Sequence, residues 1–272
     1  MLIVEANGAR IPAIGLGTWE LRGRRCARIV EQALRLGYQH IDTAQAYDNE
    51  REVGEALRAS GVKRDKVFLT TKVWSSHFAP RELERSTKES LARLRLSEID
   101  LLLLHWPHPT IPLEETIGAL CKMKTVGLTR HIGISNFTVA LVERAVALSS
   151  EPLVTNQIEY HPYLDQSKVI AACRRHGLAV TAYSPIVRGQ AANDETLKRI
   201  GLGHRKSAAQ VSLRWLVQQG IVAIPRTSRI ERLSENIAVF DFELTAQEMA
   251  EITALARPAG RVVNVSFAPE WD

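Results

Sequence analysis

Residues 100–106 read DLLLLHW, from Asp100 to Trp106. Four consecutive leucines leave neither face of the segment polar, and the run is short. It reads as a strand buried on both faces, the pattern of a parallel sheet covered by helices. The theme recurs on either side. AIGLGTW (13–19), HIDTA (40–44), VFLTTKVW (67–74), HIGISN (131–136), LVTNQIEY (153–160), LAVTAYSP (178–185) and IVAIPRT (221–227) are also short and β-rich. Helical patterns fill the gaps. In RRCARIVEQALRLG (24–37), Cys26, Ile29, Val30, Ala33 and Leu34 share one face and Gly37 closes the helix. In AAQVSLRWLVQQG (208–220), Val211, Leu213, Trp215, Leu216 and Val217 are apolar, with Gly220 as the stop. Eight strand–helix units in about 250 residues predict a (β/α)8 TIM barrel, with a doubly wound sheet as the alternative. Asn7-Gly8 between two apolar stretches predicts an N-terminal β-hairpin. After about Thr245 the chain carries one extra C-terminal helix, TAQEMAEITALA, and then an irregular tail, GRVVNVSFAPEWD. No Pro/Gly/Ser-rich linker interrupts residues 1–272, so a single domain is expected.

The bulk numbers exclude several classes. The 272 residues carry a net charge of +5 with no run of five or six like charges, which indicates a solvated surface first and anionic ligands second. Nothing in that pattern suggests nucleic acid. The longest apolar runs are far too short to span a bilayer, and MLIVEANGARIP has no signal-peptide pattern. Cys26, Cys121 and Cys173 are odd in number and far apart, as expected in a reducing compartment such as the cytoplasm.

In a barrel of this kind the active site lies at the C-terminal ends of the strands. Those ends carry Gly17-Thr18-Trp19, Asp42 with Tyr47 just beyond, Lys72-Val73-Trp74, His105-Trp106, Ser135-Asn136, Gln157 and Glu159, Tyr183-Ser184, and Arg226-Thr227. Alone, Lys72 reads as a snorkelling lysine and His105 as a core histidine. Together, Asp, Tyr, Lys and His on one rim suggest carbonyl chemistry. A phenol with an unperturbed pKa near ~10 is a weak acid at neutral pH. A neighbouring ammonium lowers that value, an aspartate keeps the ammonium charged, and a histidine can hydrogen-bond a carbonyl oxygen. The hydride for such a reduction comes from a cofactor, since no side chain supplies one. The segment RTSRIER (226–232) sets three arginines and two hydroxyls at a strand end leading into a helix, a phosphate site by charge and dipole.

GLGTW, HIDTAQAYDNEREVG, LTTKVW, DLLLLHWP, IGISNF, TNQIEYHPYL, TAYSP, IPRTSRIERLSEN and FAPEWD together resemble the aldo-keto reductases over essentially the whole chain. Within that superfamily the short loops and clipped tail are most similar to bacterial 2,5-diketo-D-gluconate reductases of the B type, which also act on methylglyoxal and other small aldehydes. The resemblance implies NADPH-dependent reduction of aldehydes and ketones. It places the catalytic tetrad on Asp42, Tyr47, Lys72 and His105, with Tyr47 as general acid. It places the nicotinamide on Ser135, Asn136 and Gln157, stacked against Tyr183, with Gly17, Thr18, Trp19 and Asp42 beside it. Ser184, Arg188 and Gly189 would cover the pyrophosphate. Arg226, Thr227 and Arg232 would hold the adenosine 2′-phosphate, and Glu235 and Asn236 the adenine. Relatives commonly carry Lys-Ser at Arg226-Thr227 and Leu-Gly at Ile186-Val187, so NADPH selectivity and loop closure are where this chain departs. The implied protein is a monomer, because a closed barrel leaves no sheet edge.

The substrate side is expected to use Trp19, Tyr47, Trp74, His105 and Trp106, with Phe78, Phe267 and Trp271 as further rim aromatics. Methylglyoxal, other small aldehydes and diketo sugar acids are the candidate substrates. Two motifs mislead. Gly15-Leu16-Gly17 lacks the third glycine of a dinucleotide fingerprint, since position 20 is Glu20. His105 and His108 flank Pro107 with no further ligands, so no metal is expected. Two rival functions use the same residues: a Schiff-base aldolase with Lys72 as nucleophile, and a non-catalytic subunit that senses NADPH for a partner protein.

Overall fold

The computed structural model describes residues 2–272. The N-terminal strands β1 (Ile3–Ala6) and β2 (Ala9–Pro12) pair antiparallel. Asn7 (φ 45°) and Gly8 (φ 86°) between them are both left-handed, the requirement of a type I′ hairpin turn. Eight parallel strands follow: β3 (Leu16–Gly17), β4 (His40–Asp42), β5 (Phe68–Val73), β6 (Ile99–Leu104), β7 (Thr129–Ser135), β8 (Leu153–Glu159), β9 (Ala179–Tyr183) and β10 (Val222–Ala223). They are hydrogen-bonded in sequence order. Parallel bridges Ile14–Ala223 and Gly17–Arg226, with Gly15 N donating to Ala223 O at 2.9 Å, join the first strand to the last. The sheet is thus a closed barrel and not a doubly wound sheet.

Helices α1 (Gly23–Arg35), α2 (Glu50–Ala59), α3 (Pro80–Leu94), α4 (Leu113–Thr125), α5 (Val139–Leu148) and α6 (Ser167–Arg175) occupy the first six crossovers. Helices α7 (Glu195–His204) and α8 (Ala208–Gln218) share the seventh, and α9 (Glu231–Ile237) and α10 (Ala246–Thr253) follow β10. The buried face of α1 is Cys26, Ile29, Val30, Ala33 and Leu34. Thr245 starts α10 with a capping box to Glu248.

The DLLLLHW run explains how the site is built. Leu102 and Leu104 pack into the outer core with the helices, while Leu101 and Leu103 join Ile11 of the hairpin in a separate inner cluster. Side chains alternate along a strand, so the next inward position after Leu103 is His105. The same alternation in β5 sends Leu69 and Val73 outward and Lys72 inward; in β4 it sends Ile41 outward and Asp42 inward. The hairpin plugs one end of the barrel with apolar side chains. The polar inward residues collect at the other.

Candidate active site

Lys72 is the centre of the site. Its Nζ donates to Asp42 Oδ1 at 2.5 Å, to Thr43 O at 2.9 Å and to Tyr47 Oη at 3.2 Å. Side-chain exposure is 0% for Lys72 and 1% for Asp42, so the ion pair is dry. Gln157 Nε2 donates to the other Asp42 oxygen at 2.7 Å. The His105 ring stands edge-on to both the Tyr47 ring (5.6 Å) and the Trp74 ring (5.2 Å). Asp42, Tyr47, Lys72 and His105 therefore meet as one cluster at the mouth of the barrel.

The electrostatics refine the expectation for Tyr47. Burial pushes its hydroxyl above the ordinary phenol value, and the Lys72 ammonium only offsets part of that rise. The sequence alone predicts the opposite direction, because it shows the lysine but not the depth of burial. Burial works against the Lys72 charge too, but the Asp42 carboxylate and the Tyr47 oxygen carry its pKa above the ordinary lysine value. Burial, aided by the Lys72 charge, drops His105 well below the usual histidine value. At neutral pH the cluster holds a phenol, an ammonium and a neutral imidazole. A phenol kept protonated beside a fixed cation gives up its proton only when the acceptor oxygen gains negative charge and becomes the stronger base.

Local structure fixes Tyr47. It lies on a short 3-10 turn, Gln45–Tyr47, after β4. Gln45 Nε2 donates to Ser86 O (3.1 Å) and Ser90 Oγ (3.0 Å) of α3, and its Oε1 accepts from Trp74 N at 3.0 Å. Asn49 is fully buried, donates to Thr18 O and Leu21 O, and accepts from Thr43 Oγ1. These two amides staple the loop on both sides, and sequence reasoning missed both.

The cluster forms one wall of a cavity of about 1140 Å³. Ser135, Asn136, Gln157 and Tyr183 line it and are hydrogen-bonded together: Ser135 Oγ donates to Gln157 O, Asn136 Nδ2 to Ser135 Oγ, and Tyr183 Oη to Asn136 Oδ1 at 2.7 Å. Gly17, Thr18, Trp19, Ser184, Arg188 and Gly189 continue the lining, with the Arg188 guanidinium 5.0 Å from the Trp19 ring centre. Arg226, Thr227, Arg232 and Asn236 close the far end, joined by Ser228 and Arg229. The helix behind them, α9, is only seven residues long and has no side-chain cap, so the positive charge there comes from arginines. Glu235 does not line the cavity; its carboxylate accepts from Ser207 Oγ of the α8 cap.

On the substrate side, Trp19, Trp74 and Trp106 line the cavity beside Tyr47 and His105. Phe78 does not: it is 1% exposed and belongs to the core under α3. Phe267 packs edge-on against Trp74 (5.7 Å) and Trp106 (5.8 Å), and Trp271 against Trp106 (6.1 Å). The tail residues Val262, Val263, Asn264 and Val265 form the remaining wall, which no periodicity in the sequence announced. His108 serves its own loop, accepting from Ile111 N at 2.9 Å.

A family model for the aldo/keto reductases matches residues 13–257. The chain belongs to the aldo/keto reductase family. It is accordingly an oxidoreductase acting on carbonyl groups. Among curated relatives of this aldo/keto reductase is methylglyoxal reductase DkgB of Escherichia coli O157:H7, 43% identical over 265 residues, covering 96% of this chain and 99% of that one. A crystal structure assigned to a 2,5-diketo-D-gluconic acid reductase B superposes with a TM-score of 0.98 at 51% identity, covering 100% of this chain and 98% of the other. The Bombyx mori aldo-keto reductase in complex with NADP superposes at 0.90 with 35% identity, covering 97% and 95%. Among the described residues no helix is long and apolar enough to cross a membrane.

Proposed function

We propose that the protein reduces small aldehydes and ketones to alcohols with NADPH, Tyr47 delivering the proton. The observation that carries this reading is Lys72 Nζ bridging the buried Asp42 carboxylate and the Tyr47 hydroxyl at the cavity wall. NADPH, when bound, supplies the hydride. The donor set suits it: amide and hydroxyl groups of Ser135, Asn136 and Gln157 lie near Tyr47, and three arginines with Thr227 and Ser228 lie at the far end, where a phosphate would need them. A relative solved with NADP supports the same choice.

The substrate carbonyl would sit between Tyr47 and His105. Neutral His105 can donate one hydrogen bond to the oxygen, and Tyr47 gives its proton as the oxygen gains charge. Lys72 stabilises the phenolate left behind, and Asp42 keeps that ammonium in place. The tryptophan walls bury apolar substituents with little discrimination. Methylglyoxal and diketo sugar acids are the candidate substrates on the strength of the DkgB and reductase B relatives. A Schiff-base role for Lys72 needs a neutral amine, and its surroundings hold it charged. The three cysteines are free and buried, which suits the cytoplasm. The closed barrel suits a monomer.

Tyr47→Phe tests the assignment. It should lower the reduction rate by about 10²–10⁴-fold and leave the NADPH fluorescence titration as in wild type. A variant reducing methylglyoxal at the wild-type rate would refute Tyr47 as the acid. A wild-type panel of methylglyoxal, 2,5-diketogluconate and aromatic aldehydes, with NADPH and NADH, ranks substrates and coenzymes.

A further inference from the structure

Glu159, the last residue of β8, is fully buried and touches none of the groups assigned to catalysis. Its carboxylate faces the tail instead. Oε1 accepts from Val262 N at 2.6 Å and Oε2 from Val263 N at 2.9 Å. His161 Nε2, itself fully buried, donates to Oε1 at 2.9 Å, and the Arg261 guanidinium lies 3.8 Å from Oε2. A dry carboxylate is costly unless its lone pairs are taken, and here the tail backbone takes two of them. Just before these amides, Gly260 passes so close to the 163 carbonyl that a Cβ on it would lie 1.7 Å from Tyr163 O. Gly260 N also donates to Arg257 O, and Arg257 N to Tyr163 O. The chain is therefore steered by contact at residue 260 and clamped by charge at residues 262 and 263. The next residues, Val262–Val265, are the fourth wall of the cavity, and Phe267 beyond them closes on Trp74 and Trp106. No side chain other than Glu159 accepts from the amides of Val262 and Val263 among the described residues.

We propose that Glu159 is a positioning residue of the reductase: it clamps the C-terminal tail by its two backbone amides and so sets the substrate wall, without touching coenzyme or substrate. The proposal rests on the reductase reading for its kinetic consequence, and on the structure alone for the clamp. Glutamine keeps the shape of glutamate but offers a single acceptor oxygen and an NH2 that faces a donor. Glu159→Gln should raise KM for a small aldehyde about tenfold, the order of one lost charge-assisted hydrogen bond, while kcat and the NADPH titration stay within about twofold. Amide hydrogen exchange at residues 262–265 should quicken. Val263→Pro removes one donor from the tail and leaves the barrel intact, so it should raise KM similarly. Because both changes break one clamp, Glu159→Gln and Val263→Pro together should cost less than the product of their separate effects. If Glu159→Gln does not fold, Val263→Pro with hydrogen exchange decides. Unchanged KM and unchanged exchange in either variant overturn the proposal. So does a fall in kcat and coenzyme affinity alongside KM, which marks a general structural role, and so do effects that multiply. If the wild-type protein reduces no aldehyde with NADPH, the function reading fails, and quickened exchange in Glu159→Gln still decides the clamp.

Discussion

The two ends of the cavity are built on opposite electrostatic terms. At the tetrad, Lys72 and Asp42 expose 0% and 1% of their side chains, and Lys72, Asp42, Tyr47 and Gln157 are hydrogen-bonded to one another. At the far end, Arg226 exposes 36% and Arg229 59%; Arg226 meets Glu20 only at 3.6 Å, and Arg229 pairs locally with Glu231. The buried end has its geometry fixed before anything binds, at the cost of removing charges from water. The exposed end keeps its cations in contact with water, ready for an anion that brings its own charge. Preorganisation serves proton transfer, where a misplaced donor is useless. Attraction serves phosphate binding, where several arginines share one task.

The comparison breaks most sharply at Lys72. Lys72→Met leaves the Asp42 carboxylate buried without its cation, so the expected loss is roughly 3–5 kcal/mol of stability, together with most of the reductase activity. Denaturant unfolding followed by steady-state kinetics checks both. A midpoint within experimental error of wild type would mean that the pair is far better solvated than its burial indicates.

Acid is the next lever, because the buried end also hides histidines. His40, two residues before Asp42, is lowered to about 4 chiefly by burial, and His105 is lowered well below its usual value for the same reason. In both the folded value lies below the unfolded one, so the unfolded chain binds protons that the native chain refuses. Stability is therefore complete above the unfolded value near ~6.5 and falls as pH drops through it. For His40 the loss continues to about pH 4 and reaches up to about 3 kcal/mol. Unfolding midpoints measured from pH 7 to pH 4 should decline, and less steeply in His40→Asn. A flat profile would show that these rings take up protons without unfolding.

The smallest expected effect lies at the exposed end. Arg226→Ala and Arg232→Ala should each weaken NADPH binding about tenfold, leave NADH nearly unaffected, and reduce the salt dependence of NADPH titrations. Equal weakening of both coenzymes would mean that these arginines do not meet the 2′-phosphate. A variant with wild-type kcat at saturating NADPH sharpens the contrast, since charge reserve and preorganisation would then separate cleanly.

The barrel was legible because burial on both faces is written as unbroken apolar runs such as DLLLLHW. Asp42, Lys72 and His105 were legible because strand alternation and the strand-end rule carry them inward to one rim. Tyr47 stands on a short 3-10 turn beyond its strand, where alternation carries no direction, and its role was read from its neighbours on the rim and from the resemblance. The direction of its pKa was misjudged because depth of burial is a property of all the surrounding elements. Phe78 was misplaced for the same reason: two residues before α3, a ring can turn to the rim or to the core, and here it packs beneath the helix. Gln45 and Asn49 gave no local signal, since a polar residue between strand and helix looks alike whether it faces water or staples a loop, and Glu159 was legible as a strand-end residue but not as the partner of the tail.

By itself, the sequence determined the order of strands and helices, the residues of the rim and the arginine-rich end, because these follow from periodicity and residue type along the chain. The tertiary structure decided which protonation states the tetrad holds, which amides fix Tyr47, and how the tail reaches the cavity through Glu159. Those depend on atoms brought together from distant parts of the chain, and desolvation and hydrogen-bond geometry exist only once they have met.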